Sequence, residues 1–349
     1  MKRFTYLLFS NILLAIVLLA ILEGSARLIL PAEEINSVFN DKQLRTRGRP
    51  FVEYNPKFGF ALKKDHSDEL YHINTHGFRN KELPKNLNTD YYPILSLGES
   101  TTFGWMVRDV ETYPHYLMQL LTENSVRFEN KTPYVINAGI PSFTSSQARL
   151  YFDDILSKNT VKPKMILLNI MWNDIWYSSV KNWHPDILIY QRPPQWISWL
   201  TENSRLVHWA LMGRKTSEQL VDIENTSALE MYADNLRSII ETAKEQQIKV
   251  IFIEPPFDID HMPELGLNEF HVRYTKDFFI LQAMKYRATM QAVANKNGVL
   301  VINHRLSLDH LHQKSLFIDL LHPVPEGNKK MAEDIFEKMT APTNTTSVY

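Results

Sequence analysis

A serine becomes a useful nucleophile only when a base stands within hydrogen-bond reach and a third group fixes the tautomer of that base. Ser100 follows the apolar run Ile94-Leu95-Ser96-Leu97 in the stretch Gly98-Glu99-Ser100-Thr101-Thr102. Asp319 and His322 lie three positions apart in Asp319-Leu320-Leu321-His322-Pro323. In a tight turn such a carboxylate bonds one imidazole nitrogen and leaves the other for the serine. Acyl transfer also needs donors aimed at the developing oxyanion. The candidates are the backbone N–H groups of Ser100 and Gly139 and the side-chain amide of Asn173. At Gly139 no Cβ blocks the approach of a substrate.

Each piece has a plainer reading by itself. Ser100 or Thr101 could cap a helix, Asn173-Asp174 could be a capping pair, and Gly139 before Pro141 could be a turn glycine. Asp319 and His322 could be a surface pair beside a proline-led helix start. Their joint occurrence at successive strand ends favours the catalytic set.

The elements that must position these residues are legible from Tyr92 onward. Apolar strands are expected to end at Leu97, Ala138, Ile170, Pro255 and Asn303, with helices over 112–123, 145–158, 229–246, 276–297 and 326–339 between and after them. Uniformly apolar strands alternating with amphipathic helices imply a parallel sheet covered on both faces: an α/β, three-layer αβα, doubly wound domain. In such sheets the ligand crevice lies beyond the carboxyl ends of the strands, where these polar groups gather. The expected organisation is an N-terminal membrane segment over 1–30, an extension with short strands over 31–90, and the α/β domain over 91–341. A Pro- and Trp-rich insertion at about 175–228 holds Trp176, Trp183, Trp196, Trp199 and Trp209, which read as packing residues of the insertion or, as alternatives, as rings that stack on sugars or sit at the membrane surface. The stripe Phe278, Phe279, Leu281 and Met284 reads as core.

Four stretches, "GESTTFG", "NAGIPS", "MWND" and "DLLHP", resemble the four blocks of the SGNH (GDSL-like) hydrolases in order and spacing, over roughly residues 92–340. The resemblance implies a flavodoxin-like sheet and esterase, lipase or carbohydrate O-acyl chemistry by a triad without a cofactor. It implies Ser100 as nucleophile, Asp319 and His322 as its partners, and Gly139 and Asn173 in the oxyanion hole. Glu99 stands where the commonest motif has Asp, and Trp172 where many members have Gly at or near that place. The stretch "INTHGFRNKEL" resembles the N-terminal extension of membrane-anchored bacterial members.

Composition narrows the alternatives. A net charge of −1 without a long basic block excludes the electrostatic footprint of a nucleic-acid binder. Zero cysteines exclude disulfides and thiolate chemistry. His304, His310 and His312 near Asp309 have some metal-ligand character, but the segment reads as a surface connection, so neither metal nor cofactor is assigned. There is no Gly-x-Ser-x-Gly elbow, glycine-rich dinucleotide fingerprint or P-loop.

At the N-terminus Lys2 and Arg3 precede an apolar run from Phe4 to Leu22. A bilayer span takes on the order of 20 residues, so the run suffices. Gly24 and Ala26 would suit a signal peptidase, but the apolar run is long for a signal core and continues to Pro31, so an uncleaved anchor is expected. The flanking charges place the rest of the chain outside the cytoplasm, on the periplasmic or extracellular side. The expected activity is hydrolysis of an O-acyl ester, most simply O-acetyl, on an envelope glycan or lipid. O-acetyl transfer to an envelope polysaccharide at the same triad and a non-catalytic anchored glycan-binding scaffold are the alternatives. The partners expected are the ester substrate and, through the N-terminal helix, the membrane; the sequence does not specify protein partners.

Overall fold

Runs of apolar residues become strands enclosed on both faces, and the computed structural model joins five of them into one parallel sheet. It describes residues 2–29, 50–178, 200, 203–207, 219–221, 224–261, 267–269, 272–310 and 312–341. A hairpin of β1 (Val52–Asn55) and β2 (Gly59–Leu62) comes first. The main sheet follows: β3 (Tyr91–Gly98), β4 (Thr132–Gly139), β5 (Met165–Asn169), β6 (Lys249–Ile253) and β7 (Leu300–Ile302). Its spatial order is β7-β6-β5-β3-β4, all parallel. The order reverses between β3 and β5, where doubly wound sheets open a crevice. The register aligns Gly98 of β3 with Gly139 on one side and Asn169 on the other.

The helices fall where periodicity and caps predict. After α1 (Lys2–Ile29) and the single turn α2 (Ser100–Phe103) come α3 (Tyr113–Glu123), α4 (Ser145–Lys158), α5 (Trp172–Ser178), α6 (Thr226–Glu245), α7 (Lys276–Asn297) and α8 (Pro325–Thr340). Asn225 and Thr275 cap α6 and α7 by accepting the N–H groups of Ala228 and Phe278, and Pro325 opens α8 without an orphaned donor. On one face α3 and α8 pack over the sheet, burying Ile94, Leu117, Val135, Leu167, Ile251, Met331 and Ile335. On the other lie α4, α6 and α7. Burial of these side chains is what holds the layers, at about 1.5–3 kcal/mol for each large aliphatic or aromatic residue.

The expected core stripe on α7 is corrected. Phe279, Ala283, Tyr286 and Met290 face inward at helical spacing, whereas Leu281 and Met284 fall off that face and are 48% and 57% exposed. The expected surface connection after β7 is also not all surface. His304 is buried, with Nε2 on the Glu254 carbonyl oxygen and Nδ1 accepting the Leu306 N–H, and burial pushes its pKa down to about 4. Asp309 pairs with Arg287. Within the expected insertion, Trp176 is buried on α5 with its ring 4.6 Å from that of Phe279. Trp183, Trp196, Trp199 and Trp209 lie outside the described residues.

The chain divides into two compact units, Met1–Arg49 with Tyr190–Ser217, and Pro50–Ile189 with Glu218–Tyr349. The α/β domain and the β1–β2 hairpin belong to the second. In the first, α1 carries the one helix among the described residues that is long and apolar enough to cross a membrane, Phe9–Ile29, with mean hydropathy 2.3. Near its end the Glu23 carboxylate accepts the Ser204 hydroxyl and the N–H groups of Arg205 and Leu206. Arg27 donates to the Asn203 carbonyl oxygen.

Candidate active site

β3 runs into Gly98, and the chain then turns at once into α2. A side chain at Gly98 would place Cβ 2.2 Å from the Asn169 carbonyl oxygen and 2.3 Å from Thr102 Oγ1, so only glycine allows the turn to sit against β5. Ser100 opens α2, whose residues are bolted to neighbouring strands. Thr101 Oγ1 donates to Asn169 Oδ1 at 2.7 Å, and Thr102 Oγ1 lies 3.1 Å from the Tyr113 hydroxyl, which also bonds Ser96 Oγ at 2.8 Å. In the run Ser-Thr-Thr that looks like a polar interruption, the two threonines anchor the turn that begins at Ser100.

The three expected triad positions meet at the carboxyl end of the sheet. His322 Nε2 is 2.8 Å from Ser100 Oγ, and His322 Nδ1 is 2.7 and 2.9 Å from the two Asp319 oxygens. Asp319 Oδ1 also accepts the N–H groups of Leu321 and His322, closing the tight turn. Burial works to raise the Asp319 pKa, but the hydrogen bond and charge of His322 and these two N–H groups outweigh it and hold the carboxyl below its usual range. An ionised Asp319 requires a donor at Nδ1, which leaves Nε2 to accept from the serine hydroxyl.

Asn173 sits in the first turn of α5, and Glu99 explains its orientation. Glu99 is fully buried. Its Oε1 accepts the N–H groups of Met171 and Trp172 at 3.2 and 3.0 Å; its Oε2 accepts the N–H of Asn173 at 3.0 Å and one amide hydrogen of Asn173 Nδ2. That amide has a second hydrogen beyond the one Glu99 takes. Burial is the largest influence on Glu99 and pushes its pKa up to about 8, against the lowering by the Trp172 and Asn173 N–H groups. Trp172 is the other departure from the commonest motif, and its ring lies 5.1 Å from Phe257 and 5.8 Å from Phe279 in the core beneath α5.

Gly139 takes a different place from the one expected. Its N–H donates to Asn137 Oδ1 at 3.0 Å rather than standing free beside Ser100. The glycine is required for close packing, because a Cβ there would lie 2.2 Å from the Phe103 nitrogen of α2. Asn137, two residues before it, also donates through Nδ2 to the Phe103 carbonyl oxygen at 3.2 Å. Gly139 is thus held by an internal hydrogen bond and close packing, and the Ser100 N–H and Asn173 Nδ2 are the remaining candidate oxyanion donors.

A second polar cluster supports the site. Asp174 accepts the N–H and hydroxyl of Ser145 at 2.9 and 2.6 Å, and Asn235 Nδ2 donates to Ser145 Oγ and Ser146 Oγ. This ties the starts of α4 and α5 to α6. Desolvation pushes the Asp174 pKa up to about 7 despite the bonds from Ser145. Sequence reasoning did not find Glu99 or Asn137 as site builders, since their partners become visible only when β3, β4 and α5 are brought together.

No family model matches the chain, and no curated protein matches it. The chain is similar to solved structures of G-D-S-L-family proteins and esterases. A protein of the G-D-S-L family from Desulfitobacterium hafniense DCB-2 is 15% identical, with 70% of this chain and 98% of that one covered and a TM-score of 0.43. A psychrotrophic esterase from Pseudoalteromonas sp. is 13% identical, with coverages of 71% and 96% and a TM-score of 0.44. An acetylxylan esterase from Geobacillus stearothermophilus is 16% identical, with coverages of 74% and 98% and a TM-score of 0.45.

Proposed function

We propose that the protein is a serine esterase that cleaves an O-acyl ester, most simply an O-acetyl group, on a glycan or lipid of the cell envelope. The observation that carries the reading is the unbroken chain from Ser100 Oγ to His322 Nε2 and from His322 Nδ1 to Asp319. A helix cap or a surface ion pair has no need of this connection across 222 residues of sequence.

In this reading Ser100 Oγ attacks the ester carbonyl carbon as its proton passes to His322 Nε2. The tetrahedral oxyanion is met by the Ser100 N–H and the free amide hydrogen of Asn173. The C–O bond to the alcohol breaks, and the leaving oxygen takes the proton from His322. Water then gives a proton to His322 and attacks the acyl-serine, and collapse returns Ser100 and releases the carboxylic acid. Asp319 stays ionised throughout and holds the imidazolium. No metal or cofactor enters these steps.

The anchored location is part of the proposal. Phe9–Ile29 is long enough to span, and Lys2 and Arg3 precede it, so the catalytic unit lies outside the cytoplasm. The bonds from residues 204–206 to Glu23 favour a retained helix over a cleaved signal, because cleavage after Ala26 would discard Glu23 and leave these three donors without their acceptor.

The test is p-nitrophenyl acetate turnover by the full chain in detergent, with Ser100→Ala beside it. Turnover lost in the folded variant supports the esterase; equal turnover in both proteins contradicts it.

A further inference from the structure

The segment before β3 contains Arg79, whose side chain is fully excluded from solvent. A guanidinium has five N–H donors, and all five find acceptors here. Nε donates to Asp109 Oδ1 at 2.6 Å. Nη1 donates to the carbonyl oxygens of Phe103 and Gly104 at 2.7 and 2.6 Å. Nη2 donates to those of Leu70 and Val107 at 3.0 and 2.6 Å. The guanidinium carbon lies 4.6 Å from the centre of the Tyr71 ring and 4.5 Å from that of Phe103.

Three of those carbonyls, at Phe103, Gly104 and Val107, belong to the end of α2 and the loop just after it. One helical turn cannot hold itself, since nucleation fixes several residues for a single hydrogen bond. The place of Ser100 is therefore set by what grips the turn from outside. Arg79 grips its carboxyl end, and Arg79 is fixed in turn by its own N–H on the Asn137 carbonyl oxygen of β4 at 3.1 Å. Gly104 lies against the same contact: its φ is +87°, and a Cβ there would lie 2.4 Å from Thr112 Cγ2 and 3.1 Å from Arg79 Nη1.

We propose that Arg79 is the positioning residue of the nucleophile, setting the height and direction of Ser100 through the carbonyls of Phe103, Gly104 and Val107. The inference rests on the esterase reading. It also gives the residues before β3 a part in catalysis: they carry the clamp of the nucleophile turn. Lysine cannot replace it, because a single ammonium has three donors and no planar fork.

The experiment uses the full chain in detergent, with Arg79→Ala and Arg79→Lys measured below their melting temperatures. The readouts are the rate of fluorophosphonate labelling at Ser100 and kcat and KM on p-nitrophenyl acetate. A misplaced nucleophile should lower labelling rate and kcat by about 100-fold while KM changes by less than about threefold. Guanidinium ion at tens of millimolar should restore about tenfold in Arg79→Ala, with urea as the inert control. A folded variant that labels within about threefold of the wild-type rate overturns the proposal, and so does a kcat loss that neither guanidinium nor the KM comparison separates from general unfolding. Should Arg79→Ala fail to fold, Arg79→Lys, which keeps charge and most of the volume, decides alone. Absence of label on wild-type Ser100 overturns the esterase reading and the proposal with it; labelled wild type with unaffected variants overturns the clamp only.

Discussion

At the scale of single residues, the account depends on one proton path. Replacing Asp319 by Asn would reverse the tautomer that the 2.7 Å contact imposes on His322 and leave Nε2 a donor facing the serine hydroxyl. kcat should fall by about 10⁴-fold with the fold intact, read from p-nitrophenyl acetate kinetics beside circular dichroism. Removal of the Asn173 amide as Asn173→Ala should cost about 10²–10³-fold in kcat with little change in KM, whereas a matching rise in KM would mean that Asn173 binds the ground state. The lowered pKa of Asp319 has a definite sign in stability. Its contribution is complete above the unfolded carboxyl value and fades as pH falls through the lower folded value, so the stability difference between wild type and Asp319→Asn should shrink as pH falls through the acid range.

At the scale of elements, the site is held by turns pressed closely onto strand ends. Gly139→Ala would drive a Cβ into the backbone of α2, 2.2 Å from the Phe103 nitrogen. An overpacked contact of this kind costs about 1–3 kcal/mol, and here it also displaces Ser100, so melting temperature and kcat should both fall. The Glu99 cluster makes a different prediction. Its folded pKa of about 8 lies above the unfolded value, as does that of Asp174 at about 7. Both carboxyls therefore contribute stability that is complete below their unfolded values and declines as pH rises through the folded ones. Thermal stability should fall between about pH 5 and 8 in wild type, and the slope should be shallower in Glu99→Gln. A slope unchanged by the substitution would contradict the placement of Glu99. These elements also divide what was legible in sequence. Strand and helix positions from β3 to α8 follow from apolar runs and caps, because each is a local pattern. The contacts of Glu99, and the internal hydrogen bond and close packing of Gly139, depend on β3, β4 and α5 meeting. The exposure of Leu281 and Met284 likewise depends on which face of α7 is covered, and an apolar stripe alone does not specify that.

At the scale of the whole molecule, Ser100 follows the inner strand β3 whereas Asp319 and His322 come after the edge strand β7, and the three converge at the carboxyl end of one parallel sheet. Their order in the chain made the constellation readable, since crevices of doubly wound sheets lie at strand carboxyl ends. The clamp from Arg79 was not readable, because its acceptors are main-chain carbonyls that leave no mark in composition. The proposed anchor is tested by the mass of the N-terminal peptide from membrane-extracted protein, which should begin at the initiator end; a start near Arg27 would mean a cleaved signal. The central claim is that Ser100 is an activated nucleophile. The full chain in detergent should take up one fluorophosphonate group, located on Ser100 by peptide mass and abolished in His322→Ala. A wild-type protein that stays unlabelled, or carries the adduct on another residue, would contradict the account.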